Sequence, residues 1–257
     1  MIIHSFDDKS EALIGPRSFG IPHCELCDVC ILTFSHVIME EMRRRFSLRE
    51  VQVIRMANGD IPIYVFEHEG MTIALHLSAI GSALAGSGVE DIHWFTGATK
   101  FIMFGSAGSL NRELTTGKYV LPTEAYRDEG LSYHYAPPSD YISIRNSEFM
   151  EAFFREKGLP YVKGRVWTTD AFYRETRNQV IARQNEGCIA VDMELAGVQA
   201  VCDFHGFELY DFLVTGDILD SSEYDVGDLH GANHDFDKIW IALELAHRIQ
   251  KGAQNNG

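Results

Sequence analysis

Short apolar runs and longer amphipathic stretches alternate along this chain. Runs that read as strands lie at 28–34, 61–70, 71–78, 100–105, 117–122, 164–170, 187–191 and 208–216. Stretches with helical spacing lie at 36–46, 82–97, 147–157, 176–186, 192–205 and 235–250. Runs that are apolar on both faces, interleaved with helices, predict a sheet covered on both sides. No repeat, low-complexity tract or Pro/Ser/Gly-rich linker interrupts the pattern. The expectation is one α/β domain over residues 1–257, with a central mixed β-sheet flanked by helices.

Charge narrows the partners. Lys and Arg total 22 against 37 Asp and Glu, a formal net charge of −15, and such a field repels nucleic acid and anionic membrane surfaces. The first residues, MIIHSFDDKSEALIG, lack a basic segment followed by an apolar core, and no apolar run approaches the ~18–20 residues that cross a bilayer. A cytoplasmic protein is expected. Five cysteines fit a reducing compartment better than a disulfide framework. Cys24, Cys27 and Cys30 stand three apart, as thiolates sharing a metal would, but no second pair follows, so no metal is expected.

In α/β sheets ligands gather at the carboxyl ends of strands. Four segments fall there. In FGSAGSL, Gly105 and Ser106 follow an apolar strand and can offer backbone N–H groups and a hydroxyl to an anion. TTDAFYRET and the Arg177 that follows it set Phe172 and Tyr173 beside Arg174 and Arg177, an aromatic face with cationic forks that suits a flat heterocycle. In VDMELAG, Asp192 and Glu194 are expected in the first turn of a helix, where negative charge is favoured. Capping accounts for one of them. Glu194 heads into packed surroundings and can accept two hydrogen bonds from a vicinal diol, with Met193 as a deformable apolar wall. In LVTGDILD, Asp217 is expected on a short loop after a buried strand, where a carboxyl can serve as a general acid. Asp220 reads as a turn residue.

The segments GSAGSL, TTDAFYRET, AVDMELAG and VTGD, in this order and spacing, resemble the nucleoside phosphorylase-I family over about residues 60–250. That family holds purine nucleoside phosphorylases, uridine phosphorylases and related nucleosidases. The resemblance implies that Glu194 holds the ribose hydroxyls and Met193 lies beneath the sugar. It implies that Phe172 stacks on the base, with Arg174 and Arg177 beside it, that Ser106 and Gly105 meet phosphate, and that Asp217 protonates a departing purine. The implied reaction is phosphorolysis of a purine nucleoside or uridine to free base and ribose 1-phosphate. Inorganic phosphate is the co-substrate, and no organic cofactor or metal takes part. A homo-oligomer, a dimer or trimer of dimers, is implied as well.

The chain departs from the family pattern at the phosphate. ILTFSHVIMEEM stands where phosphorolytic members carry Gly-Asp-Pro-x-Arg, and Met103 replaces an arginine. Arg127 is the candidate substitute, with the run Arg43-Arg44-Arg45 and His4 as further basic groups. Hydrolysis by water and a non-catalytic nucleoside-binding role therefore stay open. The base stays open too: RDEGLSYHY is similar to uridine-acting members, whereas Asp217 points to purines.

Overall fold

The computed structural model describes residues 1–57, 59–220 and 223–255. In chain order the elements are β1 (Val29–Thr33), α1 (His36–Arg45), β2 (Arg49–Met56), β3 (Gly59–His68), β4 (Met71–Leu77), α2 (Ser82–Thr96), β5 (Lys100–Ser109) and α3 (Arg112–Thr115). Then come β6 (Tyr119–Asp128), α4 (Ser132–Tyr135), β7 (Tyr141–Ser143), α5 (Ser147–Lys157), β8 (Tyr161–Thr169) and α6 (Arg177–Asn185). The chain continues through β9 (Cys188–Asp192), α7 (Leu195–His205), β10 (Glu208–Ile218), α8 (Leu229–His234) and α9 (Asp237–Asn255).

Every residue of β1 is buried, and its alternation explains why. Cys30 and Leu32 pack with Ala85, Val89 and Ile92 of α2 and Leu195 and Val198 of α7. Val29 and Ile31 pack on the opposite side with Ile38 and Met42 of α1 and Ile239 and Leu243 of α9. A strand with helices on both faces has no use for polar positions, which is why the run was uninterrupted. The α/β reading with a mixed, helix-covered sheet holds.

The sheet is mixed in direction. β1 pairs in parallel with β4 and β5, while β2, β3 and β4 form an antiparallel meander ending at β2. The first half of β5 lies between β1 and β10. Its last two residues turn to β9, where Gly108 and Ser109 pair with Val191 and Ala190. β9 pairs with β8, β8 with β6, and β6 with β10, so five strands close a ring, β5-β10-β6-β8-β9.

Three boundaries differ from the sequence expectation, and each matters for the site. GSAGS lies within the strand rather than after it: Ser106 and Ala107 pair with Val214 and Thr215 of β10, and Gly108 and Ser109 with Val191 and Ala190 of β9. β10 likewise runs on to Ile218, so Asp217 belongs to a strand end rather than a loop. α7 begins at Leu195, which leaves Asp192 as the last residue of β9 and Glu194 at the helix cap. β2 and the short β7 were not anticipated. β2 carries charged residues and little full burial, as an edge strand does.

Candidate active site

Asp192 is the anchor of the joint between β9 and α7. Its Oδ2 accepts from the backbone N–H of Leu195 at 2.8 Å and of Glu194 at 3.1 Å, and its Oδ1 accepts from the Thr168 hydroxyl at 2.6 Å. Thr168 Oγ1 in turn accepts from the Ala196 N–H at 3.1 Å. These contacts satisfy first-turn donors of α7 that would otherwise be orphaned in a buried setting. Asp192 is therefore the structural carboxylate of the pair.

Glu194 is freed for something else. Its side chain is 8% exposed, and Oε1 accepts from the N–H of Gly81 at 2.6 Å. The Ser82 hydroxyl donates to the carbonyl of Met193 at 2.9 Å. The entry to α2 thus clamps both residues of the bend. Close approach of α2 to α7 needs a glycine, because a Cβ at Gly197 would lie 2.6 Å from Ser82 Cβ. Burial first, and then the negative field of Asp192, raise the Glu194 carboxyl above the usual range. Burial raises Asp192 too, against the hydrogen bonds that hold it. Beneath them lies Asp211 of β10, 1% exposed, with neither carboxylate oxygen hydrogen-bonded. Burial, followed by the charges of Asp192 and Glu194, raises Asp211 strongly.

A cavity of about 890 Å³ opens above this joint. It is lined by Gly105, Ser106, Phe172, Arg177, Met193, Glu194 and Asp217, so seven of the residues expected at the site converge. Asp217 sits on the floor of β5, since a Cβ on Gly108 would come within 3.5 Å of its Oδ1. Tyr224 is hydrogen-bonded to it. Phe172 and Tyr173 lie at the mouth, with ring centroids 4.0 Å apart and the rings tilted by 39°. Phe172 is 49% exposed, an apolar face left open to a ligand.

Two expected residues are placed elsewhere. Arg174 is exposed and outside the lining. Arg127 is 3% exposed, and its guanidinium donates to Ser132 Oγ at 2.8 Å, to the Pro137 carbonyl at 2.7 Å and to Ser139 Oγ at 3.0 Å. It also lies over the ring of Tyr133, 4.3 Å from the centroid. Its donors are spent on holding the 132–139 segment, so it is not available to phosphate. Arg43 donates to Tyr64, and Arg44 and Arg45 pair with Glu41. Neither these three nor His4 lines the cavity.

The place expected for phosphate is filled by neutral groups. Phe34, Met103 and Asn233 line the cavity there, and the Ser106 hydroxyl donates to Asn233 Oδ1. Ser35, next along the loop from β1, accepts from the Ile38 N–H at 3.2 Å and so caps α1. Glu175, Glu223, Tyr224 and Asn233 are lining residues that the sequence reading passed over. Glu175 lies inside TTDAFYRET, where the aromatic and arginine residues carry the more obvious chemical signal. Burial first, and then Asp217, raise the Glu175 carboxyl to about 7. Asn233 belongs to the short α8, which no periodicity revealed.

Cys24 and Cys27 are half-buried and Cys30 is buried, all as free thiols. Burial pushes Cys27 up to about 11 and raises Cys30 as well. Among the described residues they do not belong to a group placed to share an ion.

Comparison with known proteins agrees with this architecture. A family model described as the phosphorylase superfamily matches residues 28–243. A DeoD-type purine nucleoside phosphorylase of Exiguobacterium sp. is 23% identical over 188 residues, 71% of this chain and 78% of that protein. The AMP nucleosidase of Bacteroides thetaiotaomicron superposes with a TM-score of 0.65 at 20% identity, covering 88% of this chain and 91% of that one. The futalosine hydrolase of Helicobacter pylori does so with a TM-score of 0.67 at 15% identity, covering 85% and 98%. At these identities the two structures establish a shared fold.

Proposed function

The chain belongs to the phosphorylase superfamily, and from that premise we propose that it cleaves the N-glycosidic bond of a ribonucleoside, with water rather than phosphate as acceptor. The observation that carries the choice is the charge of the cavity wall. Among its described lining residues are five acids, Glu175, Asp192, Glu194, Asp217 and Glu223, and a single cation, Arg177. A phosphate dianion entering that space finds only one lining cation to neutralise it, and the groups nearest Ser106 are neutral. Water needs no such partner.

In this reading Glu194 accepts hydrogen bonds from the ribose 2′- and 3′-hydroxyls, with Met193 against the sugar and Phe172 against the base. Arg177 and Glu175 border the base. Departure of the base leaves an oxocarbenium-like sugar, which the surrounding carboxylates favour electrostatically. The C1′–N bond breaks with its electrons moving to the base, and Asp217 delivers a proton to it, an effect worth ~10²–10⁴-fold. Water adds at C1′ and releases one proton, which restores the acid. The products are free base and ribose, and neither an organic cofactor nor a metal enters the step. Exposed Phe172, Tyr173 and Ile80 at the cavity mouth support assembly into a homo-oligomer as part of the same proposal.

Phosphorolysis is the second reading. It is supported by the Ser106 hydroxyl in the cavity and by the name of the Exiguobacterium relative. Offering inosine, adenosine and uridine with and without inorganic phosphate separates the two. Equal base release in both buffers, with free ribose as co-product, is expected. Ribose 1-phosphate formed only with phosphate would transfer the assignment to phosphorolysis. No turnover of any nucleoside would leave a binding protein.

A further inference from the structure

The turn between β3 and β4 meets α9 at a cluster of ligating groups that the reaction does not use. His68 closes β3, Glu69 follows in the turn, and His247 comes from α9. One ligand atom from each lies within 4.8 Å of the others. None of the three lines the cavity. We propose that His68, Glu69 and His247 form a site for a divalent transition-metal ion of the zinc class, bridging the β3–β4 turn to α9.

Two imidazoles and a carboxylate are the donor set that zinc, nickel and copper ions accept, whereas calcium and magnesium take oxygen ligands. The contact between two of the groups is telling. His247 Nε2 stands 2.8 Å from Glu69 Oε2, yet it is inaccessible to water and has no aligned hydrogen-bond partner. An imidazole that merely paired with the carboxylate would point its N–H along the line between them. Two ligand atoms on one tetrahedral zinc lie roughly 3.3 Å apart. Reaching that spacing takes a small rotation of Glu69, whose side chain is 68% exposed.

The surroundings fix the two imidazoles rather than leave them loose. The His68 ring packs edge-on against Phe46, with centroids 5.7 Å apart, and lies 5.5 Å from the His247 ring. Glu69 is held at φ 45°, the one described non-glycine residue with positive φ. Glu244 stands three residues before His247, on the same side of α9, and its carboxylate feels both imidazoles. Its carboxylate is held by Lys157 at 2.7 Å, so it stands beside the cluster rather than in it. An ion here would tie the hairpin to the last helix, and so stabilise the folded state by mass action.

The test uses the full chain stripped with EDTA, then titrated with zinc chloride by calorimetry and followed by thermal unfolding. One equivalent should bind and raise Tm, with magnesium chloride giving neither effect. His68→Gln and His247→Gln should each weaken zinc at least about 10-fold, while their metal-free Tm stays near that of the unaltered chain. If either variant fails to fold, Glu69→Gln at the exposed turn takes its place and should weaken zinc as well. Absence of zinc binding overturns the proposal. So does stoichiometric binding that survives these substitutions but is lost in Cys24→Ser/Cys27→Ser, which would move the ion to the thiols.

Discussion

Glu194 Oε1 accepts a 2.6 Å hydrogen bond from the backbone N–H of Gly81, a residue 113 positions earlier in the chain. Gly81 has φ 97° and ψ 143°, a conformation that favours glycine, although a Cβ there would meet nothing within 4 Å. Backbone geometry, not space, dictates the residue. Gly81→Ala is therefore expected to swing this N–H away and loosen Glu194, at a strain of about 1–3 kcal/mol. Steady-state kinetics should show KM for the nucleoside rising several-fold, and an unchanged KM would separate Glu194 from the sugar.

Glu194→Gln tests the same contact from the other side. The amide puts an NH2 donor in place of one of the two acceptor oxygens, and an unmet buried hydrogen bond costs ~1–3 kcal/mol, so a ribonucleoside should lose on the order of 10-fold or more in kcat/KM. A 2′-deoxyribonucleoside, lacking one of the two hydroxyls, should lose less. Equal losses on both would mean that the carboxylate does not meet the diol.

The pH profile should report Glu175. Its carboxyl, raised to about 7 by burial and then by Asp217, keeps its proton below that pH and loses it above. Loss of that proton places a negative charge beside Asp217, which holds its proton back from the departing base, so kcat/KM is expected to fall as pH rises through about 7. Glu175→Gln should remove that limb. Asp217→Asn should instead lower the rate at every pH, by ~10²–10⁴-fold, with KM little changed. A Glu175→Gln profile identical to that of the unaltered protein would dismiss the pairing.

Asp211 gives a stability prediction with a definite sign. In the folded state burial raises it well above its ordinary value of 3.8, and its oxygens have no hydrogen-bond partner. Above about pH 4 the unfolded chain releases this proton while the folded chain retains it, so stability falls as pH rises through that window. Asp211→Asn abolishes the difference. Its Tm should match the parent near pH 4 and exceed it increasingly toward pH 8. A constant offset across the range would contradict the assignment.

Arg127 should behave as a structural residue. Removing a buried guanidinium that makes four hydrogen bonds leaves its acceptors unmet, at ~1–3 kcal/mol for each group stranded. Arg127→Met should thus lower Tm by many degrees without creating or abolishing any phosphate dependence of base release. Assays with and without phosphate on this variant check both halves.

The strand and helix pattern was legible because each β-run is buried on two faces and each long helix carries a full apolar stripe. It failed where tertiary partners decide. Ser106–Ser109 fell outside the strand expected at 100–105 because small residues signal a strand's end, yet β10, and β9 at the last two residues, hold the run extended. β2 was illegible, because an edge strand with Arg49, Glu50 and Arg55 lacks an apolar run. At the site, Met193, Glu194, Phe172 and Asp217 were recognisable from local chemistry combined with motif order. Arg127 misled, since a conspicuous cation says nothing of whether carbonyls nearby will claim it. Asn233 reaches Ser106 across 127 positions, a contact that no local pattern encodes.

Ring closure of β5, β10, β6, β8 and β9 conceals most backbone hydrogen-bonding rims, but the meander at the far side stops at β2. Among the described residues β2 pairs with β3 alone, so it is where an incoming chain could add a strand and start self-association. Arg49, Glu50 and Arg55 along this strand act as gatekeepers. These three charges, none of which lines the cavity, are thus expected to keep the edge from pairing with another chain.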